Sequence, residues 1–395
     1  MRVVAKFGGT SLGNGKRIEK AAQSIKKAVE DGHDVAVVAS AMGSTTDELL
    51  EEINFEADEE DRDEIVSMGE RISVRMLKAA LESKEVNAEF YEPGKKEWPV
   101  ITDTNGEVKT EETKNKSSKL SGKLEDEVAV ITGFLAEDEN GGITTLGRGG
   151  SDTTAVMLGN YMDADRTVIV TDVEGVLTGN PEIVESTHNV GEISIDELRD
   201  LSFKGAEVVA PEALPYKTEE MEVNVVHYQN ENLLESGTSI EGEFERITNT
   251  DDKKYCCLTV AGREIRMEPG ILSKLTTSLY ESGINIEAVS TGMDSVSIFV
   301  EQDNQDEANQ ALHDTVLEKE NISSVTVDED IGVIRVAGGK LPDRPGVVND
   351  IVTPLAEENI NIHEIVTSAS SVILFVGFEV RDQALEIVQN NIGEQ

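Results

Sequence analysis

The fold is decided by residues 3–40, VVAKFGGTSLGNGKRIEKAAQSIKKAVEDGHDVAVVAS, in which two short apolar runs enclose an amphipathic helical pattern. Residues 3–7 and 34–40 are predicted as strands, because both runs are rich in β-branched residues and lie next to Gly or Asp. Residues 16–30 place apolar side chains at helical spacing. A strand, a helix and a strand in this order predict a parallel pair, with ligands bound beyond the carboxyl ends of the strands.

The same alternation continues to about residue 245. Further strands are predicted at 128–132, 167–171 and 223–227, and a second helical stripe at 65–81. These elements predict an α/β fold with a mostly parallel sheet between helical layers.

The rest of the chain repeats itself at a constant offset of 76 residues. Pro269-Gly270-Ile271 corresponds to Pro345-Gly346-Val347, and Ile284-Asn285-Ile286 corresponds to Ile360-Asn361-Ile362. Each copy reads as a strand, a Pro-Gly turn, a helix, an Ile-Asn-Ile strand and a Ser-rich hairpin, which predicts two α+β modules of βαββαβ order. The polar segment 241–254 is predicted to be the linker that precedes them.

Composition restricts the partners and the setting. Seventy-eight acidic residues against 35 basic ones give a net charge of −43, which argues against a nucleic-acid partner. Because no signal peptide or membrane-spanning run is recognisable, we expect a cytoplasmic protein without a membrane partner. Acidic residues are distributed along the whole chain, which favours a protein from a halophilic cell. Two adjacent cysteines and five scattered histidines predict neither a disulfide framework nor a metal site built by the protein.

Two glycine-rich turns are candidates for binding phosphate. Lys6 precedes Gly8-Gly9-Thr10-Ser11, where backbone N–H groups and hydroxyls could approach an anion. The spacing fits neither the P-loop nor the dinucleotide pattern, and alone it more often reflects strand-to-helix geometry. The second turn, residues 144–155 (TTLGRGGSDTTA), favours function, because Arg148 can clamp a carboxylate while Ser151 or Asp152 caps the next helix.

Taken in order, these motifs resemble the aspartate kinases of the amino-acid kinase superfamily. The matching segments are residues 6–11 (KFGGTS), 40–43 (SAMG) with Thr46-Asp47, 69–73 (GERIS), 132–134 (TGF), 146–152 (LGRGGSD), 171–173 (TDV) with Gly175-Val176 and Thr178, and Gly237-Thr238. The repeat resembles that family's tandem ACT modules. The resemblance implies an amino-acid kinase domain at 1–245 and ACT modules at 255–328 and 331–395.

The resemblance also implies an activity, the transfer of phosphate from ATP with Mg²⁺ to the β-carboxylate of L-aspartate. Lys6 would contact the γ-phosphate, the N–H groups of Gly8 and Gly9 would stabilise the transferring oxygens, and Asp152 would organise phosphate donors or magnesium. The aspartate-binding positions would be Ser40, Thr46, Glu70 and Arg148, with Glu70 on the ammonium and Arg148 on a carboxylate. Taken singly, Glu70 reads as a solvated helix position and Ser40 as a strand-end hydroxyl.

On the nucleotide side the chain departs from the family. Glu182 and Glu207 stand where the family has cations that contact phosphate, so Lys204 and Lys217, or cations held in a salty cytoplasm, are the candidate substitutes. Thr171 and Asp172 would bind the adenosine part of ATP.

The modules imply an amino-acid effector, with Asn285 and Asn361 as its candidate contacts, and a homodimer or higher homo-oligomer. The leading hypothesis is a feedback-regulated aspartate kinase at the start of lysine, threonine, methionine and isoleucine synthesis. The alternatives are a superfamily kinase for another acidic amino acid and a non-catalytic amino-acid sensor.

Overall fold

The chain forms two compact units, Met1–Phe244 and Glu245–Gln395. The structure, a computed structural model, describes residues 1–181, 183–203, 208–235, 237–243, 247–263, 265, 269–318, 322–337, 346–368 and 371–392. In this part of the chain no helix is both long enough and apolar enough to cross a membrane.

The first unit alternates strands and helices. Its helices are α1 (Gly15–Glu30), α2 (Thr45–Glu52), α3 (Glu59–Glu82), α4 (Thr110–Ser121), α5 (Gly150–Tyr161) and α6 (Ile195–Phe203). Its strands are β1 (Arg2–Phe7), β2 (Asp34–Ala39), β3 (Ala88–Tyr91), β4 (Ile101–Thr102), β5 (Val128–Thr132), β6 (Leu135–Asp138), β7 (Ile143–Thr145), β8 (Arg166–Thr171), β9 (Glu192–Ser194), β10 (Glu222–His227) and β11 (Thr238–Glu241).

An eight-stranded sheet in the order β3-β5-β2-β1-β8-β10-β11-β9 organises this unit. In this spatial order, each strand from β3 through β5, β2, β1 and β8 to β10 is parallel to its neighbour, whereas β11 is antiparallel to β10. Helices α1 and α3 cover one face through Ile18, Ile25 and Leu77, and α5 covers the other through Val156 and Leu158. The predicted α/β fold is confirmed. The apolar side chains that recur at helix and strand spacing in the sequence are the ones buried between the helices and the sheet.

In its described residues, the second unit has one antiparallel sheet and four α-helices. The helices are α7 (Ile271–Glu281), α8 (Gln305–Leu317), α9 (Val347–Glu357) and α10 (Arg381–Ile392). The strands are β12 (Ile247–Thr250), β13 (Tyr255–Gly262), β14 (Ala288–Thr291), β15 (Ser295–Glu301), β16 (Ile322–Ala337), β17 (Ile362–Thr367) and β18 (Ser371–Gly377). The sheet order is β14-β15-β13-β16-β18-β17, with β12 also paired to β16.

The two α+β modules share this sheet through β16. The first part of β16 pairs with β13, and its last seven residues pair with β18. One strand therefore continues across the module boundary that the sequence predicted between residues 328 and 331. Phe299 of the first module stacks on Phe375 of the second with ring centroids 3.8 Å apart. A common core, rather than a hinge, therefore joins the modules.

The segment 241–254 is more than a linker, which corrects the sequence-based prediction. Within it, β12 pairs antiparallel with residues 334–337 of β16. The second module thus takes its fourth strand from chain that precedes the first module. Strand β13 pairs with β16 only up to Ile331, and β12 pairs with the residues of β16 that follow.

Both modules begin their first helix at a glycine, as the repeat predicts. Gly270 and Gly346 are the N-caps of α7 and α9, with φ of 89° and 95°. Pro345 lies outside the described residues. The Ile-Asn-Ile prediction is only partly right, because residues 284–286 precede β14, whereas Ile362 already belongs to β17.

Candidate active site

Four parallel strands end together at one edge of the first sheet. Phe7, the last residue of β1, is aligned with Ala39 of β2 and with Val170 of β8, and Ala39 is aligned with Thr132 of β5. The turns that follow these strands carry the Gly-Gly motif, Ser40 and Asp172. The topology therefore gathers sequence-distant candidate residues at the carboxyl edge, where ligands of such sheets bind.

Lys6 and Asp152 form the central ion pair of this edge. Lys6 Nζ lies 2.7 Å from Asp152 Oδ1, and each side chain is only 13% exposed. The other oxygen, Asp152 Oδ2, accepts a hydrogen bond of 3.1 Å from the Ala210 N–H. Asp152 lies in the first turn of α5, so a fixed cation and the positive end of a helix meet here, as a phosphate site requires. Ala210 lies 58 residues from Asp152, and no sequence pattern indicated it.

The predicted cap of α5 by Ser151 or Asp152 is wrong. The helix begins at Gly150, its N-cap is Gly149 with φ of 70°, and no side chain caps it. Gly149 is required by space as well as by conformation, because a Cβ atom there would lie 2.2 Å from the Cβ of Ala210. Since Asp152 has no capping role, its carboxylate is directed to Lys6 instead.

The Gly-Gly turn after β1 differs in detail from the prediction. The N–H of Gly8 and the buried hydroxyl of Ser11 both donate to the carbonyl of Val170, each at 3.2 Å, so β8 takes two donors that were assigned to phosphate. Gly9 serves close packing, because a Cβ atom there would lie 2.7 Å from the Gly43 carbonyl oxygen. The turn therefore holds the ends of β1, β2 and β8 together beside Lys6.

Glu70 is a buried carboxyl, not a solvated helix residue. It lies on α3 and is 3% exposed. Its Oε1 accepts from the Ala41 N–H at 3.3 Å and from Thr46 Oγ1 at 3.5 Å, whereas Oε2 is buried without a hydrogen-bond partner among the described residues. Burial raises the pKa of Glu70 to about 7. Such an incompletely paired carboxyl is suited to receive a cationic group.

The remaining predicted substrate contacts lie around this carboxyl or on the neighbouring loop. Thr46 is half-buried in α2, and half-buried Ser40 donates its backbone N–H to Phe7 at 3.1 Å. Arg148 is exposed between two glycines with positive φ, directly before α5. The structure brings Glu70 and Thr46 into contact, and it places Arg148 on the loop that leads to Asp152.

On the nucleotide side, Lys217 is not a free phosphate cation, contrary to the sequence-based suggestion. It is 4% exposed and donates to the backbone carbonyls of Thr218 and Gly242. Burial also lowers its pKa. Half-buried Thr171 donates to Asp172 Oδ1 at 3.3 Å, and Asp172 is exposed. The predicted positions Lys204, Glu182 and Glu207 lie outside the described residues.

The residues present would suit a magnesium ion held mainly by the phosphates of a nucleotide. In the described ranges no group of three or more His, Cys, Asp or Glu side chains forms a cage for a metal. Asp152 would supply one carboxylate, and Glu212, beside Gly149, has a buried Oε2 without a hydrogen-bond partner in the part of the chain that the structure describes. Mg²⁺ typically uses one or two protein carboxylates together with phosphates and water.

The candidate effector residues lie in the second unit. Asn285 and Asn361 are exposed and occupy equivalent places after α7 and α9.

Comparison with protein families assigns both units. Residues 1–227 match the amino acid kinase family, and residues 252–314 and 326–390 match the ACT domain. The aspartokinase of Mycolicibacterium smegmatis is 30% identical, covering 99% of this chain and 96% of its own length. Aspartokinase 2 of Bacillus subtilis is 31% identical, covering 97% of this chain and 96% of its own length.

Solved structures give the same architecture. Aspartate kinase from Synechocystis superposes with a TM-score of 0.82 at 26% identity, over 99% of this chain and 69% of that one. E. coli aspartokinase III, in complex with aspartate and ADP, superposes with a TM-score of 0.55 at 22% identity, over 99% of this chain and all of that one. The second likeness supports the fold alone.

Proposed function

The chain belongs to the aspartokinases of the amino acid kinase family, and we propose that it transfers the γ-phosphate of ATP to the β-carboxylate of L-aspartate. The products are 4-phospho-L-aspartate and ADP. The family resemblance inferred from the motifs is confirmed. The observation that carries the proposed reaction is the Lys6–Asp152 pair at the start of α5.

In this reaction an oxygen of the aspartate β-carboxylate attacks the γ-phosphorus, and the bond from that phosphorus to the β,γ-bridging oxygen breaks. The acceptor is already ionised near neutral pH, so no general base is needed. Catalysis then consists of positioning and neutralising charge. Lys6 supplies a positive charge held in place by Asp152, and the N-terminus of α5 supplies a positive dipole.

Aspartate would be held by complementary charges at both ends. The Glu70 carboxylate receives the ammonium, which also gives the buried Oε2 a partner. Arg148 receives the α-carboxylate through two parallel hydrogen bonds, while Ser40 and Thr46 complete the site. The bound ammonium favours the ionised form of Glu70, opposing the effect of burial on its pKa.

The phosphates of ATP would be positioned by Asp152 and by Gly8 and Gly9, which lie beside Lys6. The rest of the nucleotide would be bound by Thr171, Asp172 and Lys204. Asp152 is the residue that would hold Mg²⁺, which neutralises phosphate charge when bound. The backbone N–H of Gly8 donates to the carbonyl of Val170, and this hydrogen bond must break before the same N–H can donate to phosphate.

We assign regulation to the ACT modules, with boundaries near 255–328 and 331–395. An end-product amino acid would bind near Asn285 and Asn361 and lower activity. The reaction would open lysine, threonine, methionine and isoleucine synthesis in the cytoplasm. Calorimetry and inhibition assays with these four amino acids test the effector assignment, which fails if none of them binds or inhibits.

The reaction is tested by trapping aspartyl phosphate with hydroxylamine in molar KCl with ATP and Mg²⁺. We expect hydroxamate to form about 10–200-fold faster with L-aspartate than with L-glutamate, which carries one extra methylene group. Product with L-glutamate alone would indicate a relative for another acidic amino acid. Absence of product with either acid, from protein that still binds aspartate, would indicate a non-catalytic sensor.

A further inference from the structure

His227 ends strand β10 at the carboxyl edge of the first sheet. Strand β10 runs parallel to β8, and His227 is aligned with Thr171. Strand β8 in turn runs parallel to β1, which carries Lys6. Because neighbouring strands lie about 4.8 Å apart, His227 is about 10 Å from β1 across the sheet. The residue therefore lies beside the candidate nucleotide contact Thr171, on the side away from Lys6.

The side chain of His227 lies on the same face of the sheet as that of Lys6. Side chains along a strand alternate between the two faces. Val4 of β1 and Val225 of β10 both belong to the core that packs against α5. Lys6 and His227 each follow one of these valines by two positions, and the contact of Lys6 with Asp152 on α5 confirms this face for β1. The imidazole is thus on the side of the sheet where the phosphate site lies.

The turn that follows β10 fixes the imidazole of His227. Its Nδ1 accepts a hydrogen bond of 3.3 Å from the N–H of Gln229, and its backbone carbonyl accepts one of 3.0 Å from the N–H of Asn230. Since Nδ1 is an acceptor, the neutral ring carries its proton on Nε2. The residue is half-buried, so its orientation is restricted while part of the ring still reaches solvent. The Nε2–H group is therefore a donor that a ligand at this edge can use.

Tyr228 ties the same turn to the neighbouring strand and to the Gly-Gly turn. Its N–H donates to the carbonyl of Thr171 at 2.7 Å. The guanidinium of Arg17 lies 4.8 Å from the centre of the Tyr228 ring and donates to the carbonyl of Thr10. The rings of His227 and Tyr228 are 4.7 Å apart. The position of His227 is therefore set by the same loops that surround the phosphate site.

We propose that His227 binds the nucleoside part of the nucleotide, with Nε2–H donating to a ribose oxygen or a purine ring nitrogen. A nucleotide whose γ-phosphate lies at Lys6 and which extends along the edge past Thr171 reaches β10 with its ribose and base. The chain has Glu182 and Glu207 where the family has cations that contact phosphate, so a nucleoside contact offsets affinity lost there. This assignment rests on the proposed kinase function, because it takes Lys6 as the position of the γ-phosphate.

Two substitutions separate the nucleoside contact from the role of the ring in the turn. His227→Asn keeps an acceptor near the place of Nδ1 for the N–H of Gln229, but has no donor at the place of Nε2. His227→Gln extends an amide N–H to about the place of Nε2. His313→Asn, at an exposed position of α8 in the second unit, is the matched control.

Calorimetry of the full chain in molar KCl measures the binding of ADP with Mg²⁺, and of inorganic tripolyphosphate with Mg²⁺. We expect His227→Asn to weaken ADP binding about 3–10-fold, as the loss of one hydrogen bond does, and to leave tripolyphosphate binding unchanged. His227→Gln should recover most of the ADP affinity, and the control should bind both compounds like the wild type. Circular dichroism checks that each variant is folded.

Three results would overturn the proposal: wild-type ADP affinity in His227→Asn, equal weakening of ADP and tripolyphosphate binding, or no measurable ADP binding by the wild type. Equal weakening would indicate a contact to phosphate or a purely structural role. In steady-state kinetics the KM for ATP should rise with the ADP dissociation constant, whereas the KM for aspartate should not. Because ADP binding needs no turnover, a protein that binds ADP through His227 and forms no aspartyl hydroxamate would contradict the proposed reaction alone.

Discussion

At the scale of single residues, the burial of Glu70 has the clearest physical consequence. Its pKa lies near 7 in the folded protein, compared with an ordinary value of 4.5. Between these pH values the unfolded chain has released this proton while the folded protein retains it. The free energy of unfolding contributed by Glu70 therefore falls as the pH rises from about 4.5 to about 7.

We expect Glu70→Gln to remove this dependence. Relative to the variant, the wild type should lose about 3 kcal/mol of unfolding free energy between pH 4.5 and 7.5. This figure follows because each unit by which the pKa is raised corresponds to about 1.36 kcal/mol. Denaturant titrations at several pH values, without aspartate and at constant KCl, measure the difference. Parallel stability curves for the two proteins would show that Glu70 is not held protonated by burial.

Arg148 supports a second prediction at this scale. Arg148→Lys should raise the KM for aspartate by tenfold or more, because one ammonium cannot replace two parallel guanidinium hydrogen bonds. The KM for ATP should change little. Steady-state kinetics with each substrate varied separately make the comparison, and an unchanged KM for aspartate would move the carboxylate site elsewhere.

At the scale of elements, β12 explains why the second unit begins before its first module. Besides its pairing with β16, Thr250 Oγ1 donates to the carbonyl of Val333. Directly after it, Asp251 Oδ2 accepts from Tyr255 at 2.9 Å and from Arg335 at 3.0 Å. The segment that the sequence suggested as a linker is therefore part of the regulatory fold.

Removing β12 should destabilise this unit. A fragment of residues 255–395 should unfold with about 3–5 kcal/mol less free energy than a fragment of residues 245–395, at about 1 kcal/mol for each lost hydrogen bond. Urea titrations followed by circular dichroism compare them. Equal midpoints would mean that β12 contributes nothing to the fold.

The same elements show what sequence could predict. Strands β1, β2, β5, β8 and β10 and helices α1 and α3 were predictable, because each buries an apolar period that is local in the chain. The pairing of β12 was not, since its partner lies more than 80 residues away and its own residues are mostly polar. The cap of α5 depends on Ala210, which no local pattern links to Gly149.

At the scale of the whole molecule, the acidic surface predicts a need for salt. At 0.01 M ionic strength the Debye length is about 30 Å, so carboxylates across a domain repel one another, whereas at 1 M it is about 3 Å. We expect folding and activity to require molar KCl. Circular dichroism and initial rates from low to molar KCl separate the two effects, and full activity of folded protein at low salt would refute the halophilic interpretation.

The candidate site was predictable as a set of residues, and less so as a set of contacts. The motifs indicated Lys6, Asp152 and Glu70, and the structure shows a close ion pair and a buried carboxyl at these positions. The bonds from Gly8 and Ser11 to Val170 and the burial of Lys217 were not predictable, because they depend on how distant strands and loops meet.

The central claim is that Lys6 assists phosphoryl transfer to aspartate, and the rate of aspartyl hydroxamate formation by Lys6→Ala tests it most directly. The matched control is Lys27→Ala, in the last turn of α1. Removing a charge that acts in the transition state should lower kcat by about 10²–10³-fold or more, with the circular dichroism spectrum and the control unchanged. A Lys6→Ala protein that forms hydroxamate at nearly the wild-type rate would contradict the account.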